Sequence, residues 1–118
     1  MPFEVLYAIS DLLMPLLYHV IRYRRGIVRR NLVTSFPEKS IGEVVAIEKE
    51  FYHWFCDYFL ESIKLLSISD KELNRRLRIK NPEVHEQWYL KGRNTAAFLG
   101  HYCNWEWLSC TGIAFPEG

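Results

Sequence analysis

Apolar and polar positions change rhythm several times along this chain. Residues 3–21 (FEVLYAISDLLMPLLYHVI) form an almost continuous apolar stretch, interrupted by Glu4, Ser10, Asp11, Pro15 and His19. A spanning helix wants about twenty predominantly apolar residues, and a charge near its centre is expensive. Asp11 lies close to that centre, so the pattern predicts an interfacial or shallowly inserted anchor rather than a clean span. A cleaved secretory signal starts with a positive region and ends at a small-residue site. This stretch starts with an acid and ends in arginines, which excludes that reading.

After Gly26, read as a helix break, and the connection closed by Pro37, Ser40 followed by Glu43 carries the capping-box signature of a helix start. Apolar residues then step by three and four: Val44, Ile47, Phe51, Trp54, Tyr58 and Leu65. A second row, Val45, Tyr52, Phe55, Phe59, Ile63 and Leu66, lies beside it. Together they predict a helix over residues 41–67 with a wide buried arc, and the charged residues, Glu48 among them, on the other face. Ser69-Asp70 caps a short turn. The alternation Arg76-Leu77-Arg78-Ile79-Lys80 predicts a half-exposed strand. Pro82 suits the first turn of a helix over 82–91, with Gly92 as its C-cap. Thr95-Ala96-Ala97-Phe98-Leu99 predicts a strand covered on both faces, and a helix follows over 104–113. Strand and helix in alternation predict an α/β unit with a parallel pair, whose chemistry sits at the carboxyl ends of the strands.

Length and composition narrow the classes. The chain has 118 residues with 6 Gly, 5 Pro and 15% aromatics, which excludes collagen-like and disordered readings. A net charge of +1 argues against a bulk nucleic-acid binder. That small net hides segments of +3 (1–40), −3 (41–68), +3 (69–95) and −2 (96–118), summing to +1. Arg22, Arg24, Arg25, Arg29 and Arg30 fall close together with no acid among them. A basic cluster directly after an apolar stretch points to an anionic, cytoplasmic membrane face; an arginine-rich, solvated helix end is the plainer alternative. Cys56, Cys103 and Cys110 are odd in number and fit reduced intracellular thiols. Without a CxxC or HxxxH pair, no metal site is expected.

Chemistry concentrates in Gly100-His101-Tyr102-Cys103-Asn104-Trp105-Glu106-Trp107. On one continuous helix His101 and Glu106 would lie roughly 140° apart. They can converge if His101 is in the turn and Glu106 in the first turn of the next helix, with Asn104 as N-cap. A carboxylate that fixes the imidazole tautomer makes that histidine a general base. A loop histidine bonded to the backbone, with Glu106 merely capping a helix, fits the bare spacing as well.

The run GHYCNWEW after an apolar segment resembles the active-site motif of the lipid A biosynthesis late (lauroyl/myristoyl) acyltransferases, within the glycerol-phosphate acyltransferase-like superfamily. Tyr23-Arg24-Arg25, residues 28–32 and Ser35-Phe36-Pro37-Glu38-Lys39-Ser40 are similar to that family's amino-terminal region. So are Phe51-Tyr52-His53, Asp57 and Glu61-Ser62-Ile63-Lys64. The resemblance implies acyl transfer from an acyl carrier protein thioester to a hydroxyl of a lipid A precursor, a step towards lipopolysaccharide, without a cofactor. His101 matches the general base and Glu106 the acid that orients it, while Asn104 and Trp105 match positions that shape the turn. Cys103 departs from the pattern, which more often has a small residue such as Gly there.

The resemblance further implies an α/β catalytic sheet of which this chain holds the first strands and helices: an amino-terminal fragment, inactive alone, lacking a downstream oxyanion-stabilising arginine. It divides the chain into an anchor over 1–30 and the first part of the catalytic domain over 31–118. It places the protein on the inner membrane with its catalytic part facing the cytoplasm. Two rivals remain: a membrane-surface protein or remnant without catalysis, and a phospholipid acyltransferase of the same superfamily. The latter typically carry Asp at the position of Glu106.

Overall fold

A computed structural model of the chain describes residues 1–94, 96 and 98–110. The regular elements among them are helical. They are α1 (Phe3–Pro15) with a π-helical continuation (Leu16–Ile21), α2 (Arg25–Ser35), α3 (Ile41–Leu65), α4 (Asp70–Arg76), α5 (Glu83–Tyr89) and a 3₁₀ helix (Trp105–Cys110). The chain divides into two compact units, residues 1–61 and 62–118.

In the first unit α1 and α3 run antiparallel. Tyr7 donates its hydroxyl to Glu61 at 2.7 Å, while Tyr18 meets Tyr52 edge-on with ring centroids 5.3 Å apart. Phe3, Leu6, Ser10, Met14 and Tyr18 are buried and recur every three or four residues, one face of a helix. Burying each of the large apolar side chains is worth about 1.5–3 kcal/mol. Pro15 lacks the N–H that would bond one turn back. The helix carries on beyond it in the wider π register to Ile21, an adjustment of the kind that absorbs a helix irregularity.

The chain reverses on two arginines. Arg22 (φ 54°) and Arg24 (φ 49°) occupy the left-handed region, which costs a residue with a Cβ roughly 1–2 kcal/mol. Gly26, expected to break the helix, instead lies inside α2. The turn is held from outside: the Leu17 carbonyl accepts the N–H groups of Arg22 and Tyr23, and the Tyr52 hydroxyl donates to the Tyr23 carbonyl.

The start of α3 is the capping box expected there. The Ser40 N–H and hydroxyl both donate to Glu43, at 2.9 and 2.7 Å, and the Glu43 N–H reaches back to Ser40 Oγ at 3.3 Å. The buried row of α3 differs from the expected arc: it is Val44, Glu48, Tyr52 and Cys56. Phe59, Ile63 and Leu66 are exposed. Glu48, assigned by the pattern to the polar face, has no exposed surface at all. It accepts from Arg25 Nε at 2.7 Å and from Arg29 Nε, two arginines one turn apart on α2. The Arg25 guanidinium also lies 4.2 Å over the Tyr18 ring. A charge turns inward here because its counter-charges are presented at the matching height.

In the second unit the Ser69 hydroxyl accepts the Glu72 N–H and caps α4. Glu72 in turn binds Arg75 and Arg76 at 3.2 and 2.6 Å, exposed pairs that water and salt screen. Helix α5 ends as its sequence foretells. Gly92 takes φ 62° and the Arg93 N–H bonds the Trp88 carbonyl at 3.0 Å, the six-to-one bond of a Schellman ending.

The expected α/β sheet is not formed by the described residues. Arg76 belongs to α4, and Leu77 is extended (φ −92°, ψ 115°) without a ladder partner. In the run 95–99, Thr95 and Ala97 lie outside the described residues; Ala96, Phe98 and Leu99 are not in a strand, and Phe98 is 97% exposed. A strand exists only through its neighbours, and an apolar run is covered only where a sheet and its helices supply both faces.

Truncating Glu48 to Ala is expected to destabilise the 1–61 unit by on the order of 2–3 kcal/mol. This is less than for a wholly buried pair, because water reaches part of each guanidinium; urea unfolding followed by circular dichroism measures it. Burial pushes the Glu48 carboxyl up, but the hydrogen bonds from Arg29 and Arg25 outweigh it and hold its pKa below the ordinary 4.5. Its contribution is therefore complete above pH 4.5 and lost as pH falls through the lower folded value. Glu48→Gln should flatten that part of the acid-unfolding curve. Ser40→Ala should cost a further ~1 kcal/mol through the lost cap.

Candidate acyl-transfer site

The motif at residues 100–107 is built on a turn and a short helix. The Tyr102 N–H bonds the Gly100 carbonyl at 2.9 Å, folding the chain tightly around His101. Cys103 then adopts φ 51°. The following 3₁₀ helix opens with the Trp107 N–H on the Asn104 carbonyl at 3.3 Å. Glu106 lies in its first turn, and the Ser109 hydroxyl donates to the Glu106 carbonyl at 2.6 Å. The helix expected over 104–113 is thus a tighter 3₁₀ helix over Trp105–Cys110; residues 111–113 lie outside the described residues.

The imidazole of His101 is exposed. Its ring partner is Trp105, edge-on with centroids 4.3 Å apart and planes at 63°. No ion pair among the described residues joins His101 to Glu106. Trp105 limits the directions the imidazole can take, and Asn104 starts the helix that carries Glu106. No group of three or more His, Cys, Asp or Glu side chains among the described residues could hold a metal ion.

The five-arginine cluster divides by environment. Arg25 and Arg29 are half-buried on Glu48. Arg22, Arg24 and Arg30 are exposed; Arg22 donates from Nε to the His19 carbonyl at 3.3 Å, and Arg24 sits 5.7 Å over the Tyr23 ring. The preceding Phe3–Ile21 stretch is long and apolar enough to cross a membrane by length and composition. Glu48 is the residue the pattern missed. The signal that could have found it is an acid-free helix with arginines at i and i+4, facing a helix whose buried row contains one glutamate.

The sequence model described as bacterial lipid A biosynthesis acyltransferase matches residues 1–112. The chain belongs to that family. No curated protein and no solved structure matches it. The matched span covers both the arginine cluster and residues 100–107.

Within residues 100–107, Cys103 supplies a left-handed corner that a glycine would adopt freely. The turn is kept and the strain is borne by a side chain that disfavours it. Relief of roughly 1–2 kcal/mol of strain, less the 0.5–1 kcal/mol of added chain entropy that glycine brings, leaves Cys103→Gly about 0.5–1 kcal/mol more stable. Cys103→Val should be destabilised by ~1 kcal/mol or more, since β-branched residues tolerate positive φ poorly. Urea titration of the two variants beside the parent measures both.

Proposed function

We propose that this acyltransferase moves a fatty acyl chain from an acyl carrier protein thioester to a hydroxyl of a lipid A precursor, with His101 as general base. His101 takes the proton of the acceptor hydroxyl as its oxygen attacks the thioester carbonyl. The carbon–oxygen bond forms, the carbon–sulfur bond breaks, and the imidazolium returns its proton to the departing thiolate. Glu106 fixes the imidazole tautomer and balances the imidazolium in the reacting complex. Trp105 and Asn104 set the turn and carry no proton.

The observation that carries this reading is the family match over residues 1–112, a span that includes His101 and Glu106. The exposed imidazole braced by Trp105 supports it, because a base must be reachable by its substrate. The outward apolar residues of α1 and the exposed arginines after it support work at the inner membrane with the catalytic part on the cytoplasmic side. An acceptor that is itself a lipid fits that location.

The test is transfer of a radiolabelled acyl group from acyl carrier protein to a lipid A precursor by the full enzyme in membranes. His101→Ala and Glu106→Ala should each lower the rate by about 10²–10⁴-fold, the usual worth of a positioned proton-transfer group, with helicity unchanged by circular dichroism. Substantial activity in His101→Ala would overturn the mechanism. Transfer only to a glycerol-phosphate acceptor would favour the phospholipid branch of the superfamily.

A further inference from the structure

The end of the first helix and the middle of α3 leave a cleft of about 300 Å³ between them. Leu13, Leu16 and Ile21 line one side, and Phe55, Cys56 and Phe59 the other. No charged side chain is among the lining residues. A volume this size is at the small end of ligand pockets, and at roughly 30 Å³ per small group it holds about ten methylenes. It has room for a stretch of one hydrocarbon chain, not for a whole lipid.

One end of the cleft is basic. Tyr23 also lines it, stacked on Phe55 with centroids 6.0 Å apart. Arg22 stands between the two lining residues Ile21 and Tyr23 on the left-handed turn. The Arg24 guanidinium lies over the Tyr23 ring. Both arginines are exposed, and the sequence has no acid between Asp11 and Glu38 to answer them. Among the described residues neither Arg22 nor Arg24 forms an ion pair, and Glu48 is occupied by Arg25 and Arg29. An apolar slot ending in two uncompensated cations is complementary to an amphiphile with an anionic head. The outer flank of the same helix leaves Leu12 and Val20 both over 70% exposed, a face suited to an apolar medium rather than to water.

We infer that this cleft takes one acyl chain of an anionic membrane phospholipid, whose phosphate is held by Arg22 and Arg24. The site rests on the membrane reading above, but none of its residues is assigned to acyl transfer. It fixes the depth and rotation of the anchor by gripping a single lipid, where a merely amphipathic helix would only float at the interface.

The experiment uses the full chain bound to phosphatidylcholine vesicles carrying phosphatidylglycerol with a photoactivatable group in its acyl chain. Mass spectrometry of the cross-linked peptides locates the adducts. Adducts are expected on residues 13–21 and 55–59. Arg22→Gln with Arg24→Gln should reduce them by roughly tenfold or more, since each such cation is worth about 1 kcal/mol at an anionic surface. Arg22→Lys with Arg24→Lys should recover most of the labelling, and circular dichroism checks that each variant is folded. Equal labelling by photoactivatable phosphatidylcholine, or labelling confined to outward residues such as Leu12 and Val20, overturns the inference. So does vesicle binding with no adduct in the cleft, the result expected if another segment of the protein fills it; the membrane reading then stands. Failure of the parent chain to bind vesicles removes both.

Discussion

A carboxylate with no exposed surface holds the amino-terminal unit together. Glu48 satisfies two guanidinium groups from one helix while its own helix supplies the tyrosine that caps the turn before them. The turn at Arg22 and Arg24 is unfavourable by itself, and α2 is polar on most of its surface with no buried side chain of its own. What keeps α2 against α3 is this pair of guanidinium contacts together with Val28, which packs against the cluster that holds Tyr52 and Cys56. A buried ion pair contributes little net energy against an apolar substitute, but it tolerates very few geometries. Its effect is to fix which turn of α2 meets which turn of α3.

The parts legible in the sequence are those governed by local rules. The Ser40–Glu43 box, the Ser69 cap and the Gly92 ending each involve residues a few positions apart, and each forms where its residues stand. The misplaced parts depend on partners far away in the chain. Periodicity treats every charge as outward and so points Glu48 at solvent, while its counter-charges lie on another helix. Gly26 looked like the break because glycine is the cheapest residue at positive φ. The bond from Tyr52 and the doubly used Leu17 carbonyl let arginines take that role instead. The strands at 76–80 and 95–99 were read from alternation and apolarity, yet a ladder needs a neighbour that the described residues do not provide.

The motif at residues 100–107 shows the same division. Its spacing correctly suggests that histidine and glutamate lie on either side of a helix start. Spacing alone could not give the left-handed corner at Cys103 or the tryptophan against the imidazole, which arise from the tight turn after Gly100. Membership of the acyltransferase family gives those two residues a chemical setting that the bare pattern lacks. The geometry adds a reason for the tryptophan beside them: it restricts an otherwise exposed ring.

The sequence separations within the first unit also set an order of closure. The cap of α3 joins residues three apart, Arg29 and Arg25 meet Glu48 across 19 and 23 residues, and Tyr7 meets Glu61 across 54. Loop-closure entropy rises with separation, so the second and third helices pair more readily than the first helix docks on them. During synthesis all five arginines leave the ribosome before Glu48 does. For that interval the nascent chain presents its full positive charge next to a fresh apolar segment, and two of those charges are later withdrawn into the fold. Once the third helix has formed, Glu48 compensates two of the five arginines, Arg25 and Arg29, and leaves Arg22, Arg24 and Arg30 exposed.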